Sequence, residues 1–245
     1  MSGYLENLDL SINPESLEKY KVERIHVIGK ILAAINSSKD ADNFALKGGT
    51  GLLFCHGLNR FSEDIDLDAI RPVNLIKLIE NTLKNEGFTC SIRVAKNTET
   101  VTRYMINYGS VSDQPYPLKI EISYREKKML SRGIFKPIFI KGIRTYSMDH
   151  LLNTKFAAFS NREKARDFYD LSWMLDHHPQ LFDARLATQL LQIIAYKDPD
   201  SLEELLKEEY INDHILTKID TTSLVINFIE KLEVIASTDN SEKKH

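Results

Sequence analysis

A chain of 245 residues, 42% apolar and 27% charged, is long enough to bury one large core or two smaller ones, with ordinary globular proportions. Its net charge of −3 gives no global attraction for nucleic acid, so any such binding needs a local patch. No apolar run approaches the ~20 residues of a membrane span, and the N-terminal MSGYLENLDL lacks the basic and apolar regions of a signal peptide, so a soluble, cytoplasmic protein is expected.

Apolar residues at Leu17, Val22, Ile25, Ile28, Ile31, Leu32 and Ile35, with charges between them, predict an amphipathic helix over Pro14 to Ser38. Phe44 to Leu46 reads as a short strand leading into Gly48-Gly49, Thr50 to His56 as a helix, and Asp64 to Ile70 as a strand. A second helix follows Pro72 and runs to Glu86, where Gly87 supplies a C-terminal stop. The pattern then changes to period two, with strands expected over 88–96, 101–109, 117–124 and 136–142. Beyond Arg144 the strand signal ends. Ser147 can cap a helix through Phe159, Ala165 to His177 makes another, and helices are expected near 182–195, 201–209 and 222–236. The fold class is therefore α+β, a mixed sheet with flanking helices over residues 1–145, then a helical-bundle domain over 146–236 and a flexible tail over 237–245.

The segment from Lys47 to Asp68, KGGTGLLFCHGLNRFSEDIDLD, carries the chemistry. A glycine pair lets the backbone approach a phosphate closely, and a helix starting there points unpaired N–H groups and a positive dipole end at that anion. On the following strand Asp64, Asp66 and Asp68 share one face, while Ile65 and Leu67 enter the core. Carboxylates crowded in this way repel unless a divalent metal neutralises them, and an all-oxygen donor set suits Mg²⁺ or Mn²⁺. The segment reads as a nucleoside-triphosphate and metal site. Asp68 lies about 6.5 Å farther along the strand, which favours a surface or outer-shell role. Glu63 faces away and is expected in solvent. Arg60 and Ser62 lie just upstream, placed either to touch phosphate or to hold the loop.

The order Gly-Gly-Thr, apolar helix, Arg-Phe-Ser-Glu-Asp-Ile-Asp-Leu-Asp resembles the nucleotidyltransferase fold of the DNA polymerase β superfamily, and within it the AbiEii/AbiGii toxin family. Leu118-Lys-Ile-Glu-Ile-Ser123 offers Glu121 where that superfamily has its third carboxylate, and KFAAFSNREKARDFYDL, from Lys155 to Leu171, is similar to the family's Lys … Arg-Asp-x-x-Asp-Leu signature. Fourteen residues separate Gly49 from Asp64, more than the superfamily's minimal pattern but in keeping with the toxin family.

The resemblance implies transfer of a nucleoside monophosphate from an NTP to an acceptor. Asp64, Asp66 and Glu121 would hold Mg²⁺ or Mn²⁺, and Lys47, Gly48, Gly49, Thr50 and Ser62 would bind the nucleotide together with Lys155, Arg166 and Asp167. Lys155 and Asp170 join the three carboxylates as catalytic residues, Asp170 being the first choice for orienting Lys155 or Arg166. The plainer reading makes Lys155 a solvated lysine and Arg166–Asp170 an exposed i,i+4 pair contributing only ~0.3–0.5 kcal/mol. RNA, especially the tRNA acceptor end, is the acceptor of some relatives, and a cognate antitoxin is an expected partner. The alternative is a nucleotide-binding regulatory module of the same fold without efficient transfer; the presence of all three carboxylates and Lys155 favours the enzyme.

Seven charged residues, Arg125, Lys127, Lys128, Arg132, Lys136, Lys141 and Arg144, make a basic stretch broken only by Glu126. It is either an acceptor surface or a solvated face, whereas the acidic run from Asp198 to Asp213 reads as solvated. Cys55 and Cys90 are isolated and expected to be reduced and buried. His56 is expected to be structural, and Trp173 to lie in the core.

Overall fold

The computed structural model describes residues 17–109, 116–162, 164–210 and 219–242. It divides into two compact units, Met1–Met148 and Asp149–His245. The first unit is built on a mixed sheet. Helix α1 (Lys19–Asn36) precedes strand β1 (Phe44–Lys47). A short helix α2 (Gly48–Gly51) follows at once and widens into a π-helical turn, Leu52–His56. Then come β2 (Ile65–Ala69), α3 (Ile76–Asn85), β3 (Cys90–Asn97), β4 (Val101–Tyr108) and β5 (Leu118–Ser123). Helix α4 (Lys127–Ser131) and strands β6 (Ile138–Ile140) and β7 (Ile143–Thr145) complete it.

Seven strands pair in the order β3-β4-β5-β2-β1-β7-β6. β2 is parallel to β5 and antiparallel to β1, which is parallel to β7. One face is apolar because alternate residues point the same way: Ile65, Leu67 and Ala69 of β2 and Leu118, Ile120 and Ile122 of β5 are all buried. α1 contributes Ile25, Val27, Ile28, Ile31, Leu32 and Ile35 to the core. The opposite face of the same central strands carries the charged residues, so the alternation that buries the core also builds the site.

Three elements depart from expectation. Where one strand was expected over 136–142, a hairpin forms, because Lys141 (φ 51°) and Gly142 (φ 76°) turn the chain and set β7 beside β1. α4, one turn long, lay below the reach of periodicity. Part of the expected N-terminal helix, residues 14–16, lies outside the described residues. Within α1, charges expected on a solvated face are buried: Arg24, 1% exposed, donates from Nε to the Tyr108 hydroxyl (2.9 Å) and from Nη2 to the Tyr116 carbonyl (2.6 Å). Glu63, expected in solvent, is half-buried and accepts a hydrogen bond from the Tyr116 hydroxyl.

The second unit is helical: α5 (Met148–Asn161, beginning at the last residue of the first unit), α6 (Ala165–His177), α7 (Ala184–Lys197), α8 (Pro199–Tyr210) and α9 (Thr221–Glu242). Asp183 caps α7 by accepting from the Leu186 N–H at 2.7 Å. Phe159, Phe168 and Phe228 pack together in its core, the first pair tilted and the second edge-to-face, with centroids 5.9 and 5.0 Å apart. Trp173 is buried, as expected. α9 extends past Ser237 as far as Glu242, and 243–245 lie outside the described residues. In α8 the acidic residues Glu204 and Glu208 are exposed while Leu202 and Leu206 are buried, a solvated face on an amphipathic helix; residues 211–213 of the acidic run lie outside the described residues. No helix among the described residues is long and apolar enough to cross a membrane.

Candidate active site

Register across the central strands sets the geometry. Asp66 of β2 faces Glu121 of β5 on one side and Lys47 of β1 on the other, and Glu121 faces Arg103 of β4. One row therefore runs Arg103, Glu121, Asp66, Lys47 across four strands. Asp64 and Lys119 lie one residue pair away on the same face.

Burial pushes the Asp66 carboxyl above its ordinary value; Lys119 opposes this, while Asp64 and Glu121 add to it. No hydrogen bond or salt bridge reaches the Asp66 carboxylate among the described residues. Its two neighbours are paired. Lys119 Nζ lies 2.8 Å from Asp64 Oδ2, and Arg103 donates to Glu121 Oε2 from Nε at 2.8 Å and from Nη2 at 2.6 Å. Burial alone would lower the Lys119 pKa, but its bond to Asp64 and the fields of Asp66, Asp64 and Glu121 hold it above the usual value.

Sequence reasoning missed Lys119 and Arg103. Lys119 was legible in LKIEIS, two residues from Glu121 and so on its face; Arg103 was not, because its place depends on the β4–β5 register. The three carboxylates have the all-oxygen chemistry that suits Mg²⁺ or Mn²⁺, and Asp66 lacks a direct counter-charge. As the side chains stand, no three His, Cys, Asp or Glu residues among those described are arranged to hold an ion, because Asp64 and Glu121 are drawn to their cations.

Asp68 is neither a surface group nor exposed: it is 3% exposed, receives the Lys47 ammonium on Oδ1 and the Tyr146 hydroxyl on Oδ2 at 3.1 Å. It thereby fixes Lys47, which was expected at the nucleotide. The Asp68 charge in turn contributes, after burial, to raising the Tyr146 phenol far above its ordinary pKa.

The glycine pair is packed against this row. Gly48 has φ +70°, and a Cβ there would lie 3.3 Å from Asp66 Oδ2. At Gly49 a Cβ would meet Arg60 Nη2 at 2.8 Å and Ser62 Oγ at 2.9 Å. Arg60 is buried and donates to the Phe61 carbonyl at 2.9 Å, a loop-holding bond. The Thr50 hydroxyl, expected at a triphosphate, bonds Ser62 Oγ at 2.8 Å and donates to the Asp64 carbonyl. Thr50 and Ser62 thus set the backbone from which Asp64 projects. Because Arg60 cannot withdraw freely from a buried position, Gly49→Ala is expected to cost about 1–3 kcal/mol, read from the urea midpoint; an unchanged midpoint would show the loop to be slack. His56 is structural, with Nε2 2.9 Å from the Tyr146 carbonyl. Cys55 is buried, its thiol pushed up to about 12 by burial, whereas Cys90, expected buried, is half-buried at the start of β3, next to solvent.

In the second unit the signature residues form their own cluster. Lys155 is 6% exposed, so it is not a solvated lysine. Its Nζ lies 3.0 Å from Asp167 Oδ1 and 2.6 Å from Asp170 Oδ2, both residues being 0% exposed. Asp167 also accepts from Arg162 Nε at 2.6 Å and Nη2 at 3.0 Å. Burial would raise the Asp167 carboxyl, but the Arg162 bond and the Lys155 charge outweigh it and hold the carboxyl below its usual range. The suggested exposed Arg166–Asp170 pair does not exist: Asp170 turns inward to Lys155 and Arg166 stays in solvent. Arg162, a further missed residue, lies in the loop between α5 and α6.

A mixed sheet with a glycine turn leading to paired carboxylates on its central strands defines a nucleotidyltransferase fold. Residues 30–222 match the family described as nucleotidyl transferase AbiEii toxin, type IV TA system, and the chain belongs to that family. It is similar to the crystal structure of JHP933 from Helicobacter pylori, with 27% identity and a TM-score of 0.78 over 93% of this chain and 97% of that one. A second H. pylori structure, assigned only provisionally as a nucleotidyltransferase, is 27% identical with a TM-score of 0.77, covering 94% of this chain and 100% of that one. No curated protein matches.

Proposed function

We propose that this chain is a metal-dependent nucleotidyltransferase that moves a nucleoside monophosphate from an NTP to an acceptor hydroxyl, as the toxin of a toxin–antitoxin pair. The observation that carries this reading is Asp66: a half-buried carboxylate without a direct partner, between Glu121 and the glycine turn, is placed for a cation and a polyphosphate. Asp64, Asp66 and Glu121 would hold Mg²⁺ or Mn²⁺, which would supply positive charge against the negative charge that builds up in an in-line displacement. Backbone N–H groups of Gly48, Gly49 and Thr50, which open a helical segment and have no carbonyl one turn earlier, bind the triphosphate. Ser62, bonded to Thr50, keeps that turn in place. In the second unit Lys155, held by Asp167 and Asp170, and exposed Arg166 are the signature residues proposed to bind nucleotide phosphate. A bond forms from the acceptor oxygen to the α-phosphorus, the bond to the bridging oxygen breaks, pyrophosphate leaves, and a carboxylate of the cluster takes the hydroxyl proton.

RNA is the acceptor this reading favours. Arg125, Lys127, Lys128, Arg132, Lys136 and Lys141 are all exposed on the segment that follows the Glu121 strand, and Phe139, 60% exposed, offers a ring on which a base can stack. Arg144 is held apart from them by donating to the Phe44 carbonyl at 2.6 Å. Radiolabelled transfer with each of the four NTPs, on total RNA and on total protein, tests the function. Binding to RNA should weaken with salt at a slope of about −0.7 per phosphate contact, and charge reversal at Lys127, Lys128 and Arg132 should flatten the slope without changing NTP affinity. Label on protein alone, or a salt-independent RNA affinity, would redirect the search for the acceptor; membership in a toxin–antitoxin family makes a cognate antitoxin the other occupant to test.

A further inference from the structure

The charged face of the central sheet is nearly balanced without any metal. Asp64, Asp66, Asp68 and Glu121 face Lys47, Lys119 and Arg103, and each cation sits on a different carboxylate. Asp66 alone has none. The three pairs differ in kind. Lys47–Asp68 is anchored, because Asp68 is buried and bonded a second time by Tyr146. Lys119–Asp64 and Arg103–Glu121 are partly open to solvent, with side-chain exposures of 30% and 24% in the first and 39% and 22% in the second. Both Arg103 bonds fall on Glu121 Oε2 and none on Oε1.

Pairs open to solvent to this extent are screened, so breaking them costs little. A divalent ion among three carboxylates, one of them half-buried and without a direct partner, gains considerably more. An ion seated on Asp64 and Glu121 neutralises the charge that now holds Lys119 and Arg103, and those partners then stand at the rim of the site as two weakly compensated cations. A polyphosphate is the ligand that chemistry recognises, Arg103 through a planar fork and Lys119 through a compact ammonium.

We propose, on the basis of the metal-site reading above, that Lys119 and Arg103 are exchangeable counter-cations: they hold Asp64 and Glu121 until a divalent cation displaces them, and then bind the triphosphate. Metal and nucleotide binding are thereby coupled. The ion alone competes with two internal cations, and the polyphosphate compensates those cations once they are released.

The test is a titration with Mn²⁺, followed by the electron paramagnetic resonance of the free ion, with and without inorganic tripolyphosphate. Lys119→Met keeps the stem and removes the charge. It should bind Mn²⁺ alone about tenfold more tightly than the native chain, since a competing cation is gone. With tripolyphosphate present the order should reverse, the native chain binding the ion more tightly. Asp66→Asn should bind little Mn²⁺ in either condition. Equal or weaker Mn²⁺ affinity in Lys119→Met, with Asp66→Asn still defective, overturns the exchange and leaves the metal site standing. If Asp66→Asn binds as the native chain does, or no chain binds Mn²⁺, both readings fall. Should Lys119→Met lose its cooperative thermal transition, Arg103→Gln is read in its place by the same criteria.

Discussion

Asp66→Ala should abolish nucleotidyl transfer in a chain that is at least as stable as the native one. Most substitutions destabilise a fold, and the opposite sign is expected here because the carboxylate is half-buried, without a direct partner and flanked by Asp64 and Glu121. The sign follows from linkage. Burial raises the Asp66 pKa above its ordinary 3.8, so the folded state holds this proton more tightly than the unfolded chain. At this group, stability present below the unfolded value is lost as pH rises through the raised one. Asp66→Ala removes that loss, and its thermal midpoint at pH 7 should equal or exceed the native value, while label transfer falls to background. Transfer within a few-fold of native in the folded variant would remove Asp66 from the chemistry; a lower midpoint would mean that a protein group already satisfies it.

The opposite outcome is expected at Lys155. Lys155→Met leaves Asp167 and Asp170, both 0% exposed, facing each other without the ammonium that lies between them. Breaking a buried ion pair from one side costs about 3–5 kcal/mol, a large share of the ~5–15 kcal/mol that holds a domain together. Arg162 still pairs with Asp167, which softens the penalty there. In the native chain the depressed Asp167 pKa contributes stability that is present above about 3.8, the ordinary carboxyl value, and lost as pH falls through the lowered one. In the variant the dependence should invert, with stability recovering as acid protonates buried carboxylates that have lost the Lys155 ammonium. Urea midpoints measured from pH 7 to pH 4 check both statements. A midpoint shift equivalent to less than about 1 kcal/mol would mean that the cluster relaxes to water. Calorimetric titration of an NTP with Mg²⁺ then asks the separate question, whether Lys155 also meets phosphate.

Strand periodicity and the glycine pair made the carboxylate row legible, because Asp64 and Asp66 are near neighbours in sequence and period two fixes their face. Glu121 was singled out only by the resemblance of its strand to the one that carries the superfamily's third carboxylate, whereas α6 was legible from its apolar spacing. What stayed hidden depended on register between distant strands or on depth. Arg103 meets Glu121 only through β4–β5 pairing, and nothing local distinguishes it from the exposed Arg93 of β3. Asp68 looked like the outermost member of an exposed row, yet Tyr146, 78 residues away, closes over it. Arg24 sat among charges that periodicity assigns to water, and its burial follows from Tyr108 and Tyr116, which the sequence gives no reason to place beside it. Lys155 was readable as a signature residue, but its depth was not, since both its partners come from the following helix.

The parallel pairing of β2 with β5 has a consequence for how this chain acquires its charge row. Asp66 and Glu121 become neighbours only after β3 and β4 have been laid down between them in sequence, and closing so long a loop costs entropy that local contacts cannot offset early. Like charges also gain nothing from meeting. The row is therefore assembled late, by hydrophobic pairing of Ile65 and Leu67 with Ile120 and Ile122 on the reverse side of the same strands. A nascent or truncated chain ending before Leu118 contains the glycine turn, Asp64 and Asp66 but has no β5 to bring them a third carboxylate, so it cannot assemble the complete row.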